Sequence, residues 1–320
     1  MEFYGTLGPA CASAEVLSRM LDAGMTGARL NLSHMGLSEA EPWLEALFNA
    51  GRSRGLRPEL LIDTQGPELR TGPLERPLCL AEGETLELGA GGLPLPERLI
   101  ELLEPGMRLL LDDGAMLLEA TAPRRARVLR GGTLGSRKGL TVEGLEYEAP
   151  PLTPRDCENL RAARDFGVTA VMQSFTRSAR DIAATTVTTT MIGAALAGIR
   201  VFAKVESREG VEAMPELLPA SDMIVIARGD LGAAFGIYAL PPLQKRLAAA
   251  CRAAGAPFMV VTQLLYSMQQ NPVPTRAEVS DIYNAVLDGA AALMLTNETA
   301  AGKYPAEAMR ALVLAAGADS

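Results

Sequence analysis

Short β-like runs of apolar residues recur along the chain, and each is followed by a stretch whose apolar positions return with helical spacing. The runs fall at residues 3–8, 27–33, 59–64, 168–174, 200–206, 223–227, 258–263 and 291–296. The helix-like stretches fall at 14–23, 39–54, 154–166, 178–196, 209–218, 242–254, 275–288 and 305–316. Strict alternation of strand and helix predicts a parallel sheet with helical crossovers. Eight such units predict closure, so the expected fold is α/β, a (β/α)8 TIM barrel. Residues 178–196 are predicted helical from their place in this order and against their propensity. Thr185-Thr186-Val187-Thr188-Thr189-Thr190 is a β-branched run, and such side chains lose χ1 freedom in a helix.

The rhythm breaks between Thr71 and Pro151. Short strand-like pieces such as Thr85-Leu86-Glu87-Leu88 and Met107-Arg108-Leu109-Leu110-Leu111 alternate with Gly and Pro there, without a convincing helical pattern. Gly72-Pro73 and Pro150-Pro151 punctuate the edges. A small β-rich lid domain inserted after strand 3 is therefore expected. The chain would divide into a first barrel part at 1–70, the lid at 71–152 and a second barrel part at 153–320.

Composition narrows the function classes. Apolar residues make up 48% of the 320 and charged residues 21%, so a packed core is feasible; aromatics are only 4%, so Leu, Ala, Val, Ile and Met must fill it. Net charge is −8 and no long basic run occurs, which argues against nucleic-acid binding. An acidic chain can still take an anionic substrate if a few cations are focused in one cleft. Cys11, Cys79, Cys157 and Cys251 form no C-x-x-C pair and read as reduced thiols of a cytoplasmic protein. No secretory signal pattern and no apolar run of membrane-spanning length is evident, so no membrane association is expected. His34 is the single histidine, which leaves the chemistry to carboxylates, Lys, Arg and hydroxyls.

Polar residues gather at the C-terminal ends of the predicted strands, where a barrel builds its active site. In Ala28-Arg29-Leu30-Asn31-Leu32-Ser33-His34, alternation puts Arg29, Asn31 and Ser33 on one face and the leucines on the other. The third strand ends in Asp63-Thr64. The fifth carries Lys204 and Glu206 on one face. Asp230 follows the sixth, between Gly229 and Gly232, and the seventh offers Thr262. Glu206 and Asp230 from neighbouring strands suit one hard divalent cation, Mg²⁺ or Mn²⁺. Each feature alone has a plainer reading. A Lys–Glu pair is commonly a solvated ion pair, a lone histidine a structural one, and a Gly-flanked Asp an ordinary turn. Their recurrence at equivalent strand ends is what favours a site. No G-x-x-x-x-G-K-[ST] and no G-x-G-x-x-G between strand and helix is present.

These residues resemble the pyruvate kinase family. The likeness runs in order through Thr6-Leu7-Gly8-Pro9-Ala10, the Arg29–His34 segment, Asp63-Thr64-Gln65-Gly66-Pro67-Glu68-Leu69-Arg70-Thr71-Gly72 and Asp112-Asp113-Gly114. It continues through Gly135-Ser136-Arg137-Lys138-Gly139, Lys204-Val205-Glu206, Ala227-Arg228-Gly229-Asp230-Leu231-Gly232, Thr262-Gln263 and Pro274-Thr275-Arg276-Ala277-Glu278. Asn284-Ala285-Val286-Leu287-Asp288-Gly289 and Glu298-Thr299-Ala300 complete it. The resemblance implies a barrel with a lid after strand 3, here in a short form expected to lack the family's C-terminal regulatory domain.

It also implies a glycolytic phosphotransferase converting phosphoenolpyruvate and ADP to pyruvate and ATP. By that resemblance Lys204, Arg29 and Thr262 are catalytic, and Gly229, Asp230 and Thr262 bind substrate. Glu206 and Asp230 hold Mg²⁺ (or Mn²⁺). Asn31, Ser33, Asp63 and Thr64 hold K⁺, and Arg70, His34 and Lys138 face the nucleotide. Without that C-terminal domain, a monomer or homodimer is expected rather than a tetramer. Departures from the family pattern are Gln65 for a lysine, Thr141 for an asparagine, Thr296-Asn297 for Ser-Gly, and Tyr266 for a glutamate. They leave room for two other readings: lyase or other oxo-acid chemistry on a metal-bound enolate, or a binding paralogue without catalysis.

Overall fold

A computed structural model describes residues 1–112, 114–145, 149–190 and 198–317. In chain order the elements begin β1 (Glu2–Thr6), α1 (Ala14–Asp22), β2 (Gly27–Asn31), α2 (Leu37–Arg52) and β3 (Glu59–Asp63). An interval of short strands follows: β4 (Leu78–Leu80), β5 (Thr85–Glu87), α3 (Glu97–Ile100), β6 (Arg108–Leu111), β7 (Met116–Ala122), β8 (Arg125–Arg130), β9 (Gly132–Leu134) and β10 (Leu140–Val142). Alternation then resumes with α4 (Pro154–Ala162), β11 (Ala170–Gln173), α5 (Ala179–Thr190), β12 (Arg200–Val205), α6 (Arg208–Glu212), α7 (Met214–Ala220) and β13 (Met223–Ala227). The chain continues through α8 (Arg228–Phe235), α9 (Leu240–Ala254), β14 (Phe258–Val261), α10 (Arg276–Leu287), β15 (Ala292–Leu295), α11 (Asn297–Ala300) and α12 (Pro305–Ala315).

Eight parallel strands close a barrel in the order β1-β15-β14-β13-β12-β11-β3-β2. The expected (β/α)8 architecture is the one found. Register places Thr6 beside Arg29, Asn31 beside Asp63, and Lys204 beside Val225, so side chains of one parity meet in layers. One interior layer is apolar, with Tyr4, Leu61, Met172, Phe202, Val225 and Met259 fully buried. Burying each such side chain contributes roughly 1.5–3 kcal/mol. Two positions further along β1, β2, β3 and β12 the same parity carries Thr6, Arg29, Asp63 and Lys204, whereas β13 and β14 continue with the apolar Ala227 and Val261. The fold therefore turns a period-two pattern into an apolar floor beneath a polar ring.

Several predicted elements differ in detail. Most strands stop one or two residues early. Residues 209–218 form two helices, α6 and α7, rather than one. Pro215 sits in the first turn of α7 and has no N–H to donate to the preceding turn, so the helix restarts there. The threonine-rich helix is present as α5 through Thr190, and residues 191–196 of that expectation lie outside the described residues. The short helices α3, α8 and α11 had no counterpart among the predicted stretches, and α3 lies within the interval expected to hold no helix.

Two compact units partition the chain: Met1–Gly66, Pro151–Leu231 and Tyr238–Ser320 form one, and Pro67–Pro150 with Gly232–Ile237 the other. The second holds an antiparallel five-stranded sheet, β10-β6-β7-β8-β5, and a two-stranded sheet, β4-β9. It has its own core, which includes Leu93, Leu99, Leu109, Leu111, Leu118 and Leu134.

Candidate active site

Lys204 is the centre of the polar ring. Its Nζ lies 2.9 Å from Glu206 Oε1, 3.2 Å from Asp63 Oδ2 and 3.2 Å from Ser174 Oγ. Arg29 reaches the same carboxylate oxygen, donating from Nε and Nη2 to Asp63 Oδ2 at 2.9 and 2.5 Å. Arg29 also donates from Nη1 to Thr6 Oγ1 at 3.2 Å. One carboxylate thus couples two cations. Asp63 and Glu206 side chains are each 1% exposed, against 12% for Lys204 and 11% for Arg29, so the acids lie deep and the cations reach toward the opening.

Charge balance sets the protonation states. Burial alone would favour neutral Asp63, but Lys204 and Arg29 outweigh it and hold the carboxyl below its usual range. Burial likewise opposes the Lys204 ammonium, yet Asp63 and Glu206 prevail and hold it above the usual lysine range; Asp230 adds to the same field. Lys204 is therefore held as a cation at neutral pH.

Backbone and hydroxyl groups steer the acids. Phe175 N–H donates to Glu206 Oε2 at 2.7 Å, from a residue held at φ 50°. Ser174 Oγ lies 2.8 Å from Asp63 Oδ1 and 2.6 Å from the Thr64 carbonyl, so its single proton serves one of them at a time. Ser174 and Thr6 were not singled out from the sequence. Both are inward-facing hydroxyls at strand ends, the same signal that marked Asp63.

The other expected residues distribute as follows. Asp230 lies in the first turn of α8, directly after β13, the neighbour of the strand that carries Lys204. Gly229 precedes it, and a Cβ there would meet Thr262 Cγ2 at 3.2 Å, so Thr262 and Gly229 are in close approach. Asn31 Oδ1 accepts from Ser33 N at 3.1 Å, and Asn31 pairs in register with Asp63. His34 is exposed in the barrel unit, just after β2. Arg70 and Lys138 lie in the second unit, where Arg70 forms a β-bridge to Gly139, next to Lys138. Arg70 pairs with Glu68, and Lys138 Nζ with Asp112 Oδ1 at 2.8 Å.

The donor set suits hard cations. Glu206 and Asp230 offer carboxylate oxygens, while Asn31, Ser33, Asp63 and Thr64 offer amide, hydroxyl, carboxylate and carbonyl oxygens. Among the described residues no group of three or more His, Cys, Asp or Glu side chains is placed to hold a metal. A divalent ion here would thus take one or two carboxylates and complete its shell with water and substrate oxygens, the habit of Mg²⁺.

The family described as "Pyruvate kinase, barrel domain" matches residues 2–309. The chain belongs to the pyruvate kinase family. It is 40% identical over 317 residues to the pyruvate kinase of Aeropyrum pernix, covering 97% of this chain and 69% of that one. It is 37% identical over 322 residues to the pyruvate kinase of Geobacillus stearothermophilus, covering 96% and 54%. With pyruvate kinase PKLR of Homo sapiens the identity is 36% over 334 residues, covering 95% and 57%. The chain thus spans between about half and two thirds of these relatives' length.

Proposed function

We propose that this chain transfers the phosphoryl group of phosphoenolpyruvate to ADP, giving ATP and pyruvate. The observation that carries the reading is Lys204, a largely buried cation fixed between Glu206 and Asp63 at the C-terminal mouth of the barrel. Phosphoryl transfer needs little covalent help from protein and much positioning and charge stabilisation.

In this scheme the bond from phosphorus to the enol oxygen breaks as one forms to a terminal ADP oxygen. Lys204 stays beside the phosphoryl oxygens throughout, and Arg29, which shares Asp63 with it, holds the same group. Backbone N–H groups at Gly229 and Asp230, at the start of α8, take the substrate carboxylate. The enolate left behind gains a proton at its terminal carbon, with Thr262 assisting delivery. Glu206 and Asp230 would hold Mg²⁺ or Mn²⁺, which when bound neutralises charge on the transferring group and on the enolate. Asn31, Ser33, Asp63 and Thr64 would hold K⁺. Arg70, His34 and Lys138 are assigned to the nucleotide phosphates, and residues 71–152 to a lid domain between barrel parts 1–70 and 153–320.

A coupled assay with phosphoenolpyruvate, ADP, Mg²⁺ and K⁺ tests this. Turnover is expected to require the divalent ion and to fall when Na⁺ replaces K⁺. Absence of ATP formation under these conditions, with metal-dependent exchange of pyruvate methyl protons retained, would instead favour enolate chemistry without transfer.

A further inference from the structure

After β14 the chain enters a turn in which two successive non-glycine residues have positive φ, Thr262 at 78° and Gln263 at 55°. For a β-branched residue this region is a genuine outlier, because its Cβ substituents crowd the adjoining peptide groups. Such a conformation persists only where its surroundings over-determine it. One side chain bonds the carbonyls of both residues. Arg228 donates from Nε and Nη2 to the Thr262 carbonyl at 3.1 and 2.8 Å, and from Nη2 to the Gln263 carbonyl at 3.1 Å. Its remaining arm, Nη1, is held 2.6 Å from Asp281 Oδ2 on α10. The Arg228 side chain is 10% exposed, while its partner Asp281 is 39% exposed.

Arg228 immediately precedes Gly229, and the Thr262 side chain lies against Gly229. One guanidinium therefore ties the strained turn to the start of α8. We infer that Arg228 is a positioning residue: it holds the Thr262–Gln263 turn in its left-handed conformation and so keeps the Thr262 side chain against Gly229, the residue before Asp230. Asp281 in turn fixes the guanidinium plane. Lysine could reach one carbonyl but has no planar fork to span two while keeping its carboxylate partner. The kinetic part of this inference rests on the phosphotransferase reading above; the conformational part does not.

The test combines amide hydrogen exchange over the Val261–Leu264 segment with steady-state kinetics, in wild type, R228M, R228K and D281N. R228M is expected to speed exchange across the turn by about tenfold or more. It should lower kcat by about tenfold to a hundredfold while the KM for phosphoenolpyruvate moves by less than about threefold. R228K should recover part of both effects, and D281N should show the same pattern in weaker form. Unchanged exchange in R228M overturns the inference. So does faster exchange with kcat intact, since the turn would then be ordered by Arg228 for stability alone. If wild type forms no ATP, the proposed reaction falls, and the exchange result by itself upholds or overturns the clamp.

Discussion

Asp63 stands between two cations that would otherwise face each other in a buried layer. Its carboxyl is held below its usual range, so the folded chain binds fewer protons at this site than the unfolded chain at mildly acidic pH. The stability it contributes is complete above the unfolded carboxyl value of about 3.9 and is lost as pH falls through the lower folded value. Lys204 is displaced the other way. Its contribution is complete below the unfolded value of about 10.4 and is lost as pH rises through the raised folded value. Both are present in full between those limits. Replacing Asp63 with Asn should cost about 3–5 kcal/mol at pH 7, because it strands buried charge, and should remove this site's share of the acid dependence. Urea midpoints measured against pH for the two proteins check this; equal stability at pH 7 would contradict it. The alternation of polar residues on the strands brought Arg29, Asp63, Lys204 and Glu206 to the barrel mouth, as the geometry has them. What it could not supply was pairing. Asp63 reads from the resemblance as a K⁺ ligand, while its contacts are with Arg29, Lys204 and Ser174, which come from three other strands or their ends.

Among the helices, α4 shows how a local signal acquires a distant role. Thr153 and Asp156 form a capping box: Thr153 Oγ1 accepts from Asp156 N at 3.1 Å, and Asp156 Oδ2 accepts from Thr153 N at 2.9 Å. Asp156 also accepts from Gln65 N at 2.8 Å and Gly66 N at 3.0 Å, just beyond β3. Thr153→Ala should cost about 1 kcal/mol, the usual loss of a cap. Asp156→Ala should cost a further 1–3 kcal/mol or so, because two more backbone donors lose their partner. Denaturant midpoints of both variants test the order, and equal losses would show that the contacts to Gln65 and Gly66 add nothing. The helix start at residue 154 was visible in the sequence, since capping is local. The link to residues 65 and 66 was not, because 80 or more residues intervene and no periodicity spans them. The split between α6 and α7 has a local cause instead, Pro215, to which the apolar spacing of residues 209–218 is blind.

The barrel as a whole separates stability from chemistry along its axis. At its N-terminal end the Tyr4 hydroxyl contacts Glu2 and Glu59, and Arg200 reaches Glu59, Glu2 and the Tyr4 oxygen. This cluster ties β1, β3 and β12 together with half-exposed charges. Lys204 rises from β12 at the opposite end, four residues along from Arg200. Eightfold alternation made this polarity legible, because active sites of such barrels sit at the strands' C-terminal face. The most direct measurement compares ATP formation by Lys204→Met and Arg200→Met under identical conditions, each first shown to be folded. The phosphotransferase reading predicts that Lys204→Met loses about a thousandfold or more in kcat, whereas Arg200→Met lowers the unfolding midpoint and keeps kcat within about threefold. Wild-type turnover by folded Lys204→Met would contradict it.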